Sequence, residues 1–185
     1  MPQYIAFLRG INVGGHRVKM DRLRELFEEL GLREVSTFIA SGNVVFSADS
    51  RDARSLSDEI ERCLAEGLGY EVPTFLRTPT QLAEIVPDEP LETGEPGQPH
   101  LSAFVIFLRA PATPKMRSAL DSLNSEMDAF RFSGAEVYWM IQGKLSESPL
   151  FSVGLEQAFR GIPTTMRNMN TLRRLVSKIR KNGVE

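Results

Sequence analysis

Apolar positions along the chain switch between two periods. Residues 4–9, Tyr-Ile-Ala-Phe-Leu-Arg, are a short apolar run with aromatic content, the pattern of a buried strand. Gly10-Ile11-Asn12-Val13-Gly14-Gly15 cannot continue it and reads as a loop. Met20, Leu23, Leu26, Phe27 and Leu30 then recur at helical spacing, with Gly31 placed as a C-terminal cap. Residues 35–39 and 44–46 are rich in strand formers, and Ala40-Ser41-Gly42-Asn43 between them is a hairpin turn. Leu56, Ile60, Cys63 and Leu64 mark a second helix, closed by Gly67. Residues 71–77 form a strand whose Pro73, lacking an N–H, requires an edge position.

Thr78-Pro79 opens a short helix that Pro87 ends. Residues 88–100 hold three prolines, two glycines and a run of acids, the composition of a linker. The same grammar then restarts. Residues 101–108 form an apolar strand, and Thr113-Pro114 caps a helix bearing Met116, Ala119, Leu120 and Leu123. Residues 130–132 and 136–141 pair across Ser133-Gly134, and a helix covers about 150–160. Leu172, Leu175, Val176 and Ile179 stripe a last helix, with Asn170 or Thr171 as N-cap. Phe-Leu-Arg closes the first strand of both halves, at Phe7-Leu8-Arg9 and Phe107-Leu108-Arg109. The order β-α-β-β-α-β in the first half, with the same grammar restarted in the second, predicts an α+β protein of two ferredoxin-like (split βαβ, α/β-plait) subdomains, antiparallel sheets with helices on one face. The expected boundaries are 1–87, a linker 88–100, and 101–185 with the terminal basic helix.

Composition narrows the class. Of 185 residues 42% are hydrophobic and 25% charged, ordinary for a globular protein. No apolar run approaches the ~20 residues needed to span a bilayer. No signal peptide is visible, and the single Cys63 fits a reducing compartment, so a cytoplasmic protein is expected. The net charge of −2 argues against a dedicated nucleic-acid binder. It conceals an asymmetry, however: residues 84–95 are acidic, and the end carries Arg160, Arg167, Arg173, Arg174, Lys178, Arg180 and Lys181.

The segment Phe7-Leu8-Arg9-Gly10-Ile11-Asn12-Val13-Gly14-Gly15 resembles the bacterial family known as domain of unknown function 1697. The likeness continues through residues 37–46 and returns at Thr164-Thr165-Met166-Arg167-Asn168-Met169-Asn170-Thr171, where Met169 stands at a position often occupied by Trp. The resemblance implies two ferredoxin-like subdomains and no established activity.

The loop at residues 10–15 follows a strand and precedes a helix, the setting in which glycine-rich loops cradle phosphate. It lacks the Lys-Ser/Thr of a Walker loop, because His16-Arg17 follows Gly15, and it lacks the dinucleotide fingerprint. Split-βαβ topology brings this loop and the Ser41-Gly42-Asn43 turn to one sheet edge, roughly 10 Å apart across one intervening strand. Arg9, Asn12, Gly14, Gly15, Ser41 and Asn43 are therefore ligand-binding candidates. The competing reading is that Asn and Ser bond their own backbones. Arg167, Asn168 and Thr171, at the start of a basic helix, form a second cluster, and Lys144 is a further candidate. Two histidines and one cysteine supply neither a metal site nor a nucleophilic triad, so no metal and no cofactor are expected, and enzyme status stays open. The leading expectation is a binding module for a small anionic or phosphorylated ligand between the two halves. The rivals are single-stranded RNA binding through the sheet and basic helix, and an enzyme of unidentified reaction class. Oligomeric state is left open.

Overall fold

The computed structural model describes residues 1–49, 52–87, 101–151 and 154–182. Its first elements are β1 (Gln3–Leu8), α1 (Met20–Glu29), β2 (Arg33–Thr37), β3 (Asn43–Ser47), α2 (Ala53–Leu68), β4 (Thr74–Arg77) and α3 (Pro79–Ile85). They are followed by β5 (Leu101–Phe107), α4 (Pro114–Asp121), β6 (Asp128–Ser133), β7 (Glu136–Gln142), α5 (Gly154–Phe159), β8 (Thr165–Asn168) and α6 (Met169–Asn182). The pattern β-α-β-β-α-β-α thus occurs twice. Two compact units result, Met1–Leu82 and Ala83–Glu185, with the border inside α3. The stretch 88–100, expected to be the linker, lies outside the described residues.

In the first unit the strand order is β2-β3-β1-β4 and every neighbouring pair is antiparallel. The second repeats it as β6-β7-β5-β8. Both are the ferredoxin-like arrangement that the element order predicts. On one face of the first sheet Tyr4, Ala6, Leu8, Val44 and Phe46 pack against Leu23, Leu26 and Phe27 of α1 and Leu56, Ile60 and Leu64 of α2. The alternate residues, Ile5 and Phe7, are equally buried, which is why β1 reads as an unbroken apolar run rather than an alternating one. The second core is built around Trp139, stacked on Phe130 at 5.8 Å. Its indole N–H donates to Asp128 Oδ1 (2.8 Å), which also accepts from Ser148 Oγ (2.8 Å).

Several local expectations change. The cap of α2 is Gly69, not Gly67: Gly69 takes the left-handed conformation (φ 81°) and its N–H donates to Ala65 O (2.9 Å). Gly67 lies inside the helix, where a Cβ would run into Leu26 of α1, so it serves helix packing. Strand β2 stops before Ile39, which turns left-handed (φ 50°). Pro73 stands just outside β4, which is an edge strand as proline demands. Strand β8 runs straight into α6, and the cap is Asn168 rather than Asn170 or Thr171, its Oδ1 accepting from Asn170 N at 2.9 Å. Thr113 caps α4 as expected, accepting from Met116 N at 3.2 Å.

Candidate functional site

The β1–α1 loop and the β2–β3 turn are in direct contact rather than 10 Å apart. Strand β3 starts beside the end of β1, so the turn swings back across the gap, and Leu8 N donates to Gly42 O (2.8 Å). Asn12, in the left-handed conformation (φ 57°), ties the two segments together. Its Nδ2 donates to Ala40 O at 3.0 Å and its Oδ1 accepts from Val18 N at 2.8 Å. Ile11 is buried below, and Gly42 (φ +72°) lies so close that a Cβ would stand 3.0 Å from the Cβ of Ile11. Asn43 is buried, its Nδ2 donating to Phe38 O (3.1 Å) and Ser41 Oγ (2.9 Å). Asn12, Ser41 and Asn43 therefore build the loops, as the competing reading has it.

What remains open on this edge is cationic and apolar. Gly14 and Gly15 have positive φ (61° and 91°), and nothing crowds them within 4 Å. Arg9, Arg17 and Lys19 are exposed and join no ion pair among the described residues. His16 stacks on Tyr70 with ring centroids 3.8 Å apart, which fastens the far end of the loop. Val13 and Ile39 are 59% and 41% exposed, on either side of the Asn12–Ala40 bond. Sequence reasoning misses Arg17 and Lys19, although the signal is plain: residues 9–19 hold four basic side chains and no acid.

Arg167, Asn168 and Thr171 come together in the second unit, at the β8–α6 junction. Arg167 is buried, with Nη1 donating to Thr165 Oγ1 (2.8 Å) and Met166 O (2.9 Å), and burial lowers its pKa to about 10. Its partner across the ladder is Val105; in the first unit the buried Arg77 pairs with Ile5, the same place two residues before the terminal Phe-Leu-Arg. The duplication thus extends to a buried arginine in each edge strand, and Arg77 likewise donates to the preceding carbonyl, Leu76 O, at 2.7 Å. Met169 is 2% exposed, so its side chain belongs to the core. Lys144 is exposed at the start of a 3-10 turn (Leu145–Glu147), its backbone N–H donating to Glu147 Oε2 (2.8 Å).

Cys63 Sγ donates to Leu26 O (3.3 Å), and burial raises the thiol pKa, away from nucleophilic use. Among the described residues no group of three His, Cys, Asp or Glu could hold a metal ion, and no helix is long and apolar enough to cross a membrane.

The family model described as "Protein of unknown function (DUF1697)" matches residues 1–138. A solved structure, the conserved bacterial protein SP0830 from Streptococcus pneumoniae, superposes with a TM-score of 0.77 at 21% identity. The match covers 97% of this chain and 99% of that one, and it shows a common fold. No curated protein matches the sequence.

Proposed function

We propose that this protein binds a small phosphorylated or otherwise anionic ligand at the loop edge of its first unit. The chain belongs to the DUF1697 family, whose description carries no activity, so the reading stands on the chain's own geometry. The observation that supports it is the division of labour along residues 9–19. The polar side chains of Asn12, Ser41 and Asn43 are consumed in holding the loops, whereas Arg9, Arg17 and Lys19 have no counter-charge among the described residues. A fixed loop with left-handed glycines presents backbone N–H groups to an anion, and a guanidinium adds bidentate contacts. An anchored loop also loses little entropy on binding.

The test is a thermal-shift screen of orthophosphate, nucleotides, sugar phosphates and dicarboxylates on the wild type, Arg9→Ala and Arg17→Ala. A true ligand at a hundred times its Kd adds about 2.7 kcal/mol of stability, a shift of several degrees for a chain of this size. Each substitution should weaken binding about tenfold, the cost of one charge-assisted contact. Absence of any shift, or shifts that both variants leave untouched, overturns the proposal.

A further inference from the structure

The loop edge of the first unit exposes two apolar side chains among its cations. Val13 is next to Asn12 and Ile39 next to Ala40, the two residues joined by the bond between the β1–α1 loop and the β2–β3 turn. Both are held in place. Val13 O accepts from His16 N (3.1 Å), which closes a tight turn over Gly14 and Gly15, and the His16–Tyr70 stack fastens its far end. Ile39 lies between two carbonyls that structural amides engage: Phe38 O accepts from Asn43 Nδ2 (3.1 Å) and Ala40 O from Asn12 Nδ2 (3.0 Å).

Ile39 is the only β-branched residue with positive φ among the described residues. Its φ of 50° crowds a branched side chain, and glycine or asparagine adopts that conformation with less strain. Across the contact Asn12 takes almost the same φ, 57°, with a residue type that suits it, so the backbone does not demand isoleucine. Strain of this kind clusters at ligand clamps and persists where the surroundings impose it. Here the two amides impose it, and the side chain it positions stays 41% exposed.

We infer that the anion bound at this edge is an organic phosphate with an apolar body, a phosphomonoester whose ring or chain lies against Val13 and Ile39 while its phosphate meets the cations of residues 9–19. The inference rests on the anion reading of this edge and narrows it. Cations alone suit orthophosphate or a sugar phosphate equally. A sugar's hydroxyls, however, would lie without partners against valine and isoleucine. An apolar body covers both side chains, and covering the exposed part of each is worth roughly five- to tenfold in affinity.

Titration calorimetry of the full chain compares orthophosphate, glycerol phosphate, phenyl phosphate and hexyl phosphate, with phenol and hexanol as uncharged controls. Phenyl or hexyl phosphate should bind at least tenfold tighter than glycerol phosphate, and the tighter of the two tells ring from chain. Phenol and hexanol should bind at least tenfold more weakly than their phosphates. Val13→Ser and Ile39→Asn should each weaken the apolar esters at least threefold and leave glycerol phosphate within twofold. Ile39→Asn should also raise the melting temperature of the free protein by a degree or more, because asparagine suits this φ. Equal affinity for glycerol phosphate and the apolar esters overturns this inference and leaves the anion site standing; binding of none of the four phosphates overturns both. The inference also falls if the preference survives both substitutions, or if phenol and hexanol bind as tightly as their phosphates. A lower melting temperature in Ile39→Asn overturns it too, by returning Ile39 to the support of the fold.

Discussion

In the first unit Leu8 N donates to Gly42 O at 2.8 Å, and in the second Leu108 N donates to Ala135 O at the same distance. The strands that follow those carbonyls pair at matching places, Asn43 with Phe7 and Glu136 with Phe107. Around this common frame the units differ in where they carry extra chain. The first connects β1 to α1 through residues 9–19 and β2 to β3 through 38–42; the second makes the same links with 108–113 and the two residues Gly134 and Ala135. Conversely α3 has 7 residues and α6 has 14. One scaffold repeated with unequal additions shows which parts the fold needs, namely the sheet, its register and the edge arginines. The additions are the cationic loop edge in one unit and the cationic helix in the other, where function on a shared fold is expected to reside.

If the edge arginines are common structural parts, removing either should cost most. Arg167→Ala leaves Thr165 Oγ1 and Met166 O without their donor and opens a cavity, an expected loss of about 3 kcal/mol in chemical denaturation. Arg77→Ala should cost a similar amount; an effect under a third of that would break the equivalence. Arg167→Met should be milder, because burial itself works against the charge. The sign follows from its pKa, lowered by burial from the ordinary arginine value to about 10 in the folded state. The unfolded chain holds the proton more tightly between those values, so the unfavourable contribution is full below about pH 10 and fades above it.

Trp139 gives a contrast special to the second unit. Asp128→Ala removes the acceptor of both the indole N–H and Ser148 Oγ, and about 2 kcal/mol should be lost. Near-ultraviolet circular dichroism of the single Trp139 reads the change directly. An unaltered spectrum and an unaltered midpoint would remove Asp128 from the core's support.

Gly42 and Ala135 occupy equivalent places, yet only the second bears a Cβ. The loop explains it: Ile11 and Leu8 leave no room over Gly42, whereas the shorter second connection has no counterpart of residues 10–15. Gly42→Ala should therefore cost about 1–2 kcal/mol, from its positive φ and the contact together. Asn12 is the milder probe of the same contact. Asn12→Ala loses two hydrogen bonds and a residue type that tolerates φ 57°, about 1 kcal/mol, and should speed proteolysis within residues 10–18. Asn12→Gly restores the φ but not the bonds, so equal behaviour of the two variants would show that conformation, not bridging, is what Asn12 provides.

Much of this frame is legible in sequence because local periodicity and turn chemistry agree with it. The helical stripes, the Thr113 cap and the Pro73 edge position all follow from residues close to one another. What escapes has non-local causes. Strand β8 is hidden because Thr165-Met166-Arg167-Asn168 looks polar, and only its register against β5 reveals a buried arginine. Gly67 and Gly69 are equivalent as cap signals until Leu26, on another helix, claims the first. At the loop edge the hydrogen bonds of the amides depend on a contact between segments that sequence does not show. Asn12 and Asn43 look like ligand donors because unsatisfied amides and structural ones are the same residue type, and contact across the turn decides between them.

The smallest expected effect is also the sharpest separator of scaffold from addition. Arg9, Arg17 and Lys19 are exposed and without ion pairs among the described residues, so alanine at any of them should change the stability of the free protein by less than about 0.5 kcal/mol. Their mutual repulsion even allows a slight gain on removal, one that fades as salt screens it. A bound anion reverses the sign: the wild type then gains more stability than Arg9→Ala and Arg17→Ala do. Melting temperatures of the three proteins, with and without phosphate-bearing ligand at two salt concentrations, resolve this crossing. Charges that built the fold would give a loss without ligand, and one of more than about 1 kcal/mol would return this edge to the scaffold.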